Sequence, residues 1–303
     1  MAAVHEQGFS EVADGCFIAR YLAWDTTIGA VVGSDGVLVV DTRATALHGR
    51  EIREQLTRIA PNRPVRWVVD THEHFDHVLG NSAFDEASVV AHEVAADQMT
   101  DAVEHIRAKI RADPLVDSSW PGLTAEVFDG VLTSPIRLPD VTFSSVTTID
   151  LGSRYVELLH PGRGHTAGDL VARVPDADTV FAGDLIEESA PPSFGSDSYP
   201  MDWTATLDIV VGILTDTSVV VPGHGATVDR AYVEDQREDV SRVAEVIRSL
   251  FAAAVAADDA LEAAGSQWPF ENHPMADAVA RGYAQLRESG QRPEPDVRSL
   301  PLI

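Results

Sequence analysis

The stretch Thr71-His72-Glu73-His74-Phe75-Asp76-His77 directly follows the apolar run Val65-Arg66-Trp67-Val68-Val69. Three imidazoles and a carboxylate crowd into six positions at the end of what reads as a short buried strand. In extended chain, residues two apart point the same way, so His72 and His74 can reach one cation. A turn after Phe75 lets Asp76 and His77 face a second. Imidazole with carboxylate suits Zn²⁺ or iron better than Mg²⁺ or Ca²⁺, which favour all-oxygen shells. Packing alone rarely calls for such spacing. By the same alternation Glu73 faces away from the metals and reads as a solvent or structural contact.

Further along, three segments share one form: an apolar strand, a tight turn, then a residue of ligand type. Pro161-Gly162-Arg163-Gly164-His165-Thr166 follows Tyr155 to His160, Gly183-Asp184 follows Val180-Phe181-Ala182, and Pro222-Gly223-His224-Gly225 follows Val219-Val220-Val221. Glycine beside each ligand type lets the backbone turn sharply and approach closely. Each segment alone is an ordinary turn. Their joint order after the first cluster carries the weight.

That order resembles the metallo-β-lactamase superfamily from about Thr26 to Gly225, with Asp41 as its first motif. The resemblance implies an α/β (α+β) fold, a four-layer αββα sandwich with a C-terminal helical extension. Residues 1–228 would form the catalytic domain, with a helix-loop insertion at about 93–140. Residues 229–303 would pack on the same domain. One metal would be held by His72, His74 and His165, the other by Asp76, His77 and His224, with Asp184 bridging them. The expected cofactors are two divalent ions, zinc first, with iron or manganese as alternatives. A hydroxide shared by ions ~3.5–4 Å apart would attack a carbonyl of a small ester, thioester, lactone or amide. Asp76 would orient it, and Asp41 would act from behind the ligands. Thr166 reads equally as a second donor of that kind or as a plain turn residue.

A bridging Asp at position 184 is similar to the glyoxalase-II-like, thioesterase-like and lactonase-like branch. It weakens a dedicated β-lactamase reading, as does the lack of a secretory signal in Met1 to Phe17. Persulfide dioxygenases have a similar motif set but use one iron and fewer ligands. Arg230, Arg237, Arg242 and Arg248 lie amid many acids, which gives no support to a glutathione thioester.

Composition narrows the partners. The 303 residues carry 48 acids against 22 bases, a net charge of −26, and Lys109 is the only lysine. The acids are dispersed, as on a solvated surface, and such a surface repels phosphate backbones. A small-molecule substrate, no nucleic acid, no membrane and a cytoplasmic location are therefore expected, with a homodimer possible through the C-terminal helices. Cys16, the sole cysteine, reads as a buried, inert thiol.

Strands are expected around Cys16, at Thr26 to Gly33, Val37 to Asp41, Val65 to Val69, Ala87 to Ala91, Val141 to Val146, Thr148 to Leu151, Tyr155 to His160, Leu170 to Val174, Thr179 to Ala182 and Ser218 to Val221. Helices are expected at His48 to Ala60, Glu93 to Ala112, Asp202 to Leu214 (capped by Asp202 or Thr204), Ala231 to Ala257 and Pro274 to Glu288. His5, His48, His105 and His273 read as surface residues, His92 as a capping or core residue, and His160 as structural. Phe75, Trp120, Phe194, Tyr199 and Trp203 are pocket-wall or core candidates, and Arg163 a candidate anion contact.

Overall fold

The computed structural model describes residues 8–113, 121–270 and 275–292. Trp120, His5, His273 and the residues beyond Arg292 lie outside them. The first sheet has seven strands in sequential order: β1 (Ser10–Ala13), β2 (Cys16–Arg20), β3 (Thr27–Val32), β4 (Val37–Val40), β5 (Val65–Val69), β6 (Ser88–His92) and β7 (Val141–Phe143). The hairpin from β3 to β4 turns at Ser34-Asp35-Gly36, as its turn residues predict. From β4 to β7 every pairing is parallel. The second sheet has five: β8 (Val146–Asp150), β9 (Tyr155–Leu159), β10 (Val171–Val174), β11 (Thr179–Glu187) and β12 (Val219–His224), with the last two parallel.

Helices cover both outer faces. Against the first sheet lie α1 (Ala46–Ile59), the single turn α2 (Phe75–Val78), α3 (Glu93–Ala112) and α4 (Ala125–Thr133). Against the second lie α5 (Trp203–Ile213), α6 (Arg230–Ala252), α7 (Ala260–Ala264) and α8 (Ala276–Glu288). One apolar cluster fills the space between the sheets, with Val31, Leu38, Val69, Leu158, Ala172 and Phe181. Another joins Ile28, Val39 and Val68 to Ile52 and Leu56 of α1. A third joins β11 to α5, α6 and α8 through Ile186, Leu207, Ile247 and Tyr283. The result is the expected four-layer αββα sandwich, with the C-terminal helices on its outer face.

Two expectations need correction. His48 is 6% exposed, not a surface residue, because α1 starts at Ala46 and puts His48, Ile52 and Leu56 on one buried stripe. Burial pushes its imidazole down to about 3. Asp202 does take the N-cap position of α5, but its side chain makes no cap hydrogen bond; the carboxylate instead accepts from Arg163 at 2.5 Å. His92 does cap α3, its Nδ1 accepting from the Val94 amide, and its ring stacks on His160 at 3.9 Å. Cys16 is fully buried, which pushes its thiol up to about 11. No helix of the described residues is long and apolar enough to cross a membrane.

Asp41 follows the C-terminal end of β4, and the His72 segment follows that of β5. The parallel strands β11 and β12 bring Asp184 and His224 to the facing edge. At that edge the sheets are tied together: Thr26 bridges to His224, and the Thr27 hydroxyl donates to the Gly225 carbonyl at 2.6 Å. Phe181 fills the inter-sheet space against Gly29, where a Cβ would stand 2.4 Å from its ring. Phe181→Ala should lower the unfolding free energy by about 3–5 kcal/mol in urea titration, the usual cost of emptying a core aromatic site. A change below about 1 kcal/mol would show that this layer repacks freely.

Candidate metal centre

The seven expected ligand residues come together, although they arise from four separate segments. His72, His74, His165 and Asp184 form one group of converging donor atoms, and Asp76, His77 and His224 form another. Within each group the donor atoms lie within 4.8 Å of one another. Asp184 stands between the groups: its Oδ2 is 3.4 Å from His165 Nε2 and 3.2 Å from His224 Nε2, and its Oδ1 is 3.3 Å from His77 Nε2. Glu73 belongs to neither group, but it is 1% exposed rather than solvated.

Each imidazole has its outward nitrogen committed to the protein. His165 Nδ1 faces the Ser193 carbonyl at 3.0 Å, and His224 Nδ1 faces the Trp24 carbonyl at 2.6 Å. A carbonyl can only accept, so both Nδ1 atoms carry a proton and the Nε2 atoms are the ones left to face a metal. His77 Nδ1 meets the Asp41 carboxylate at 2.9 Å. His74 is reversed: its Nε2 meets Asp197 at 2.9 Å, which turns Nδ1 inward. For His72 the outward partner is Thr71 Oγ1 at 3.0 Å. That hydroxyl donates its own proton to Asp41 at 2.8 Å, so it accepts from His72 Nδ1.

Asp41 therefore fixes two histidines and also accepts from the Thr71 amide at 2.8 Å. It holds this place with a left-handed φ of 64°, uncommon for a residue with a side chain. Behind it Asn81 donates to Asp70, and Thr42 donates to Asn81 at 2.7 Å. Trp24 and Asp25 also have φ of 55°, and the Arg20 guanidinium grips Asp25 through two 2.6 Å bonds. This strained turn aims the Trp24 carbonyl at His224. Two glycines make room: a Cβ on Gly223 would stand 1.9 Å from Asp184 Oδ1, and Gly183 has φ +54° against Thr71.

The inner atoms fit divalent metal. His72 Nε2 and Asp184 Oδ1 are buried with no hydrogen-bond partner. Two nitrogen pairs face each other inward, His165 Nε2 with His74 Nδ1 at 2.9 Å and His77 Nε2 with His224 Nε2 at 3.3 Å. Lone pairs brought so close repel unless a cation or proton lies between them. Five imidazoles and two carboxylates match zinc or iron chemistry. Burial works against charge on His74, yet Asp197 and the nearby acids raise it to about 9. Burial is likewise overcome at His224, which Asp184 and Asp76 raise to about 10. Asp184 is held well below its ordinary value: burial opposes this, but the surrounding imidazoles outweigh it.

Other candidates fall away from the donors. Thr166 donates to Asp169 at 2.8 Å and so braces the turn after His165. Trp203 and Phe194 are core, packed at 5.0 Å, while Tyr199 is flanked by Arg163 and Arg281. Phe75 packs edge-on against Trp24 at 5.0 Å beside the site. Three orienting groups went unread in the sequence: Asp197, the Ser193 carbonyl and the Trp24 carbonyl. Only a turn-forming Gly195-Ser196-Asp197-Ser198 hinted at the first.

With this geometry the comparisons agree. Residues 23–224 match the family model described as Metallo-beta-lactamase superfamily, and the chain belongs to that family. It is 26% identical over 199 residues to a type 2 metallo-beta-lactamase of Bacillus cereus, covering 65% of this chain and 66% of that one. It is 25% identical to the alpha subunit of a 2,4-dinitroanisole O-demethylase of a Nocardioides species, covering 68% of this chain and 56% of that one. Among solved structures it resembles a stereoselective inverting sec-alkylsulfatase from a Pseudomonas species, with TM-score 0.73 at 16% identity over 96% of this chain and 53% of that one. The chain spans just under two thirds of the Bacillus relatives and about half of the alkylsulfatase.

Two outcomes follow. Asp41→Asn should weaken zinc affinity about 10–100-fold in chelator competition, because it loosens His77 and Thr71 together. Wild-type affinity would contradict the orienting role. Metal must also displace the protons that His74 and His224 retain at neutral pH. Zinc affinity should therefore fall as pH drops and keep rising up to about pH 10. Titration calorimetry in buffers of different ionisation enthalpy should show proton release at pH 7.5; none would contradict it.

Proposed function

We propose that this chain hydrolyses a small-molecule ester, thioester, lactone or amide with two divalent ions, zinc first. The observation that carries the reading is the set of seven inward donors, divided into two groups with Asp184 between them. His72, His74 and His165 would hold one ion, Asp76, His77 and His224 the other, and Asp184 would serve both. When bound, such a pair supplies Lewis acidity to activate water and polarise a carbonyl.

The chain's own groups do the rest. Asp76 is 8% exposed, with Oδ2 3.5 Å from His224 Nε2 and 3.7 Å from His77 Nε2. It is placed to accept a hydrogen bond from the attacking water and hold it in line. Asp41 acts through His77 and Thr71 as a positioning residue. A groove of ≈ 580 Å³ opens beside His74 and Asp197, a size that suits a small molecule. The dispersed negative charge disfavours nucleic acid. A cytoplasmic location remains part of the same proposal.

A β-lactam substrate is the second reading, favoured by the likeness to the Bacillus enzymes. The acid at position 184 weighs against it, as does the weak sequence identity. One iron with oxygen chemistry would leave part of the donor set unused.

The zinc-loaded protein should turn over at least one member of a panel of chromogenic esters, thioesters and lactones, with a β-lactam as comparator. Asp76→Ala should lower kcat about 10²-fold or more. Full activity in that variant, or oxygen uptake in place of hydrolysis, would contradict the reading.

A further inference from the structure

The groove beside the metal donors has a charge pattern that catalysis alone does not use. Along one wall α3 presents Gln98, Asp101, Ala102, His105, Ile106 and Lys109, a single stripe at helical spacing. The facing wall includes Glu73, His74 and Phe75. The first turn of α3 abuts the His165 loop: a Cβ on Gly168 would stand 2.5 Å from the Ala95 nitrogen. At 1.5 Å per residue, Lys109 lies about 16 Å along the axis from Gln98. The groove thus has an inner end at the donors and an outer end at Lys109.

The two ends differ in how their charges are met. At the inner end Asp197 is paired with His74 at 2.9 Å, and Asp101 follows one turn along α3 from Gln98. Glu73 is buried, and its Oε2 has no partner. Lys109 is the only lysine in a chain with 48 acids. Of the acids flanking it, Glu104 is taken by Arg107 and Arg111, and Asp113 closes the helix with its amide donating to the Lys109 carbonyl at 2.9 Å. The Lys109 ammonium makes no ion pair or hydrogen bond among the described residues. Between the ends, Phe75, Ala102 and Ile106 offer apolar surface.

We propose that this groove seats an elongated, amphiphilic acyl substrate whose far end carries an anion, and that Lys109 selects it. The outer ammonium draws a negative tail to the far end of the groove, some 16 Å along α3 from Gln98. A cationic tail meets the opposite bias. The inference rests on the hydrolase reading only for the placement of the reacting head.

The test uses two probes of equal length that share a metal-binding head: dodecanedioic acid monohydroxamate and dodecanohydroxamate. Their binding to zinc-loaded protein is measured by titration calorimetry. Lys109→Ala should weaken the carboxylate-tailed probe about three-fold or more and leave the methyl-tailed probe unchanged. Lys109→Arg should restore the difference, Lys109→Glu should deepen the loss, and added salt should shrink the wild-type effect. Equal loss for both probes, no loss for the carboxylate, or no binding of either to wild type would overturn the proposal. Failure of the hydrolase reading would look different, with hydroxamates bound normally but no ester in the panel turned over.

Discussion

Five imidazoles can turn lone pairs toward a common space only if each is kept from turning them elsewhere. In this chain the outward nitrogen of every one is bound: to Asp41, Thr71, Asp197, the Ser193 carbonyl or the Trp24 carbonyl. The ring direction, and the nitrogen left to face a metal, are set before any metal arrives. That constraint ranks the rest of the structure. A partly satisfied buried polar cluster costs more than an apolar one of the same size. Here the unsatisfied atoms, His72 Nε2 and Asp184 Oδ1, are on the inner side where a cation completes them.

The acceptors come from distant parts of the chain, so the fold is what makes them coincide. Asp41 follows β4, Thr71 follows β5, Ser193 and Asp197 follow β11, and Trp24 precedes β3. Parallel pairing places the ends of β4 and β5 at one edge, and parallel pairing of β11 with β12 does the same for Asp184 and His224. The apolar layer between the sheets sets their spacing. Strain is concentrated at the same edge, in the left-handed Trp24, Asp25 and Asp41. Such conformations persist where surrounding bonds over-determine them, as the Arg20–Asp25 pair and the Thr71 bonds do.

Much of this was legible from sequence because the signals were local. The His72 to His77 spacing, the glycines beside His165, Asp184 and His224, and the alternating apolar runs all report on neighbours a few residues apart. Helix α3 begins and ends where its helical pattern predicts, at Glu93 and Ala112. Other features depend on what meets a residue in space. Asp197 reaches His74 across 123 positions and His224 reaches Trp24 across 200, and no local pattern records either. β11 runs on to Glu187, past Ala182, buried along its whole length and still paired with β12. His48 looked like a surface histidine because its helix was placed two residues late.

The central claim is that these seven residues hold two ions. The most direct test is metal content by mass spectrometry after growth in zinc and gel filtration in chelator-free buffer. The account predicts two equivalents of zinc per chain. One equivalent, or a single iron retained in preference to zinc, would contradict it.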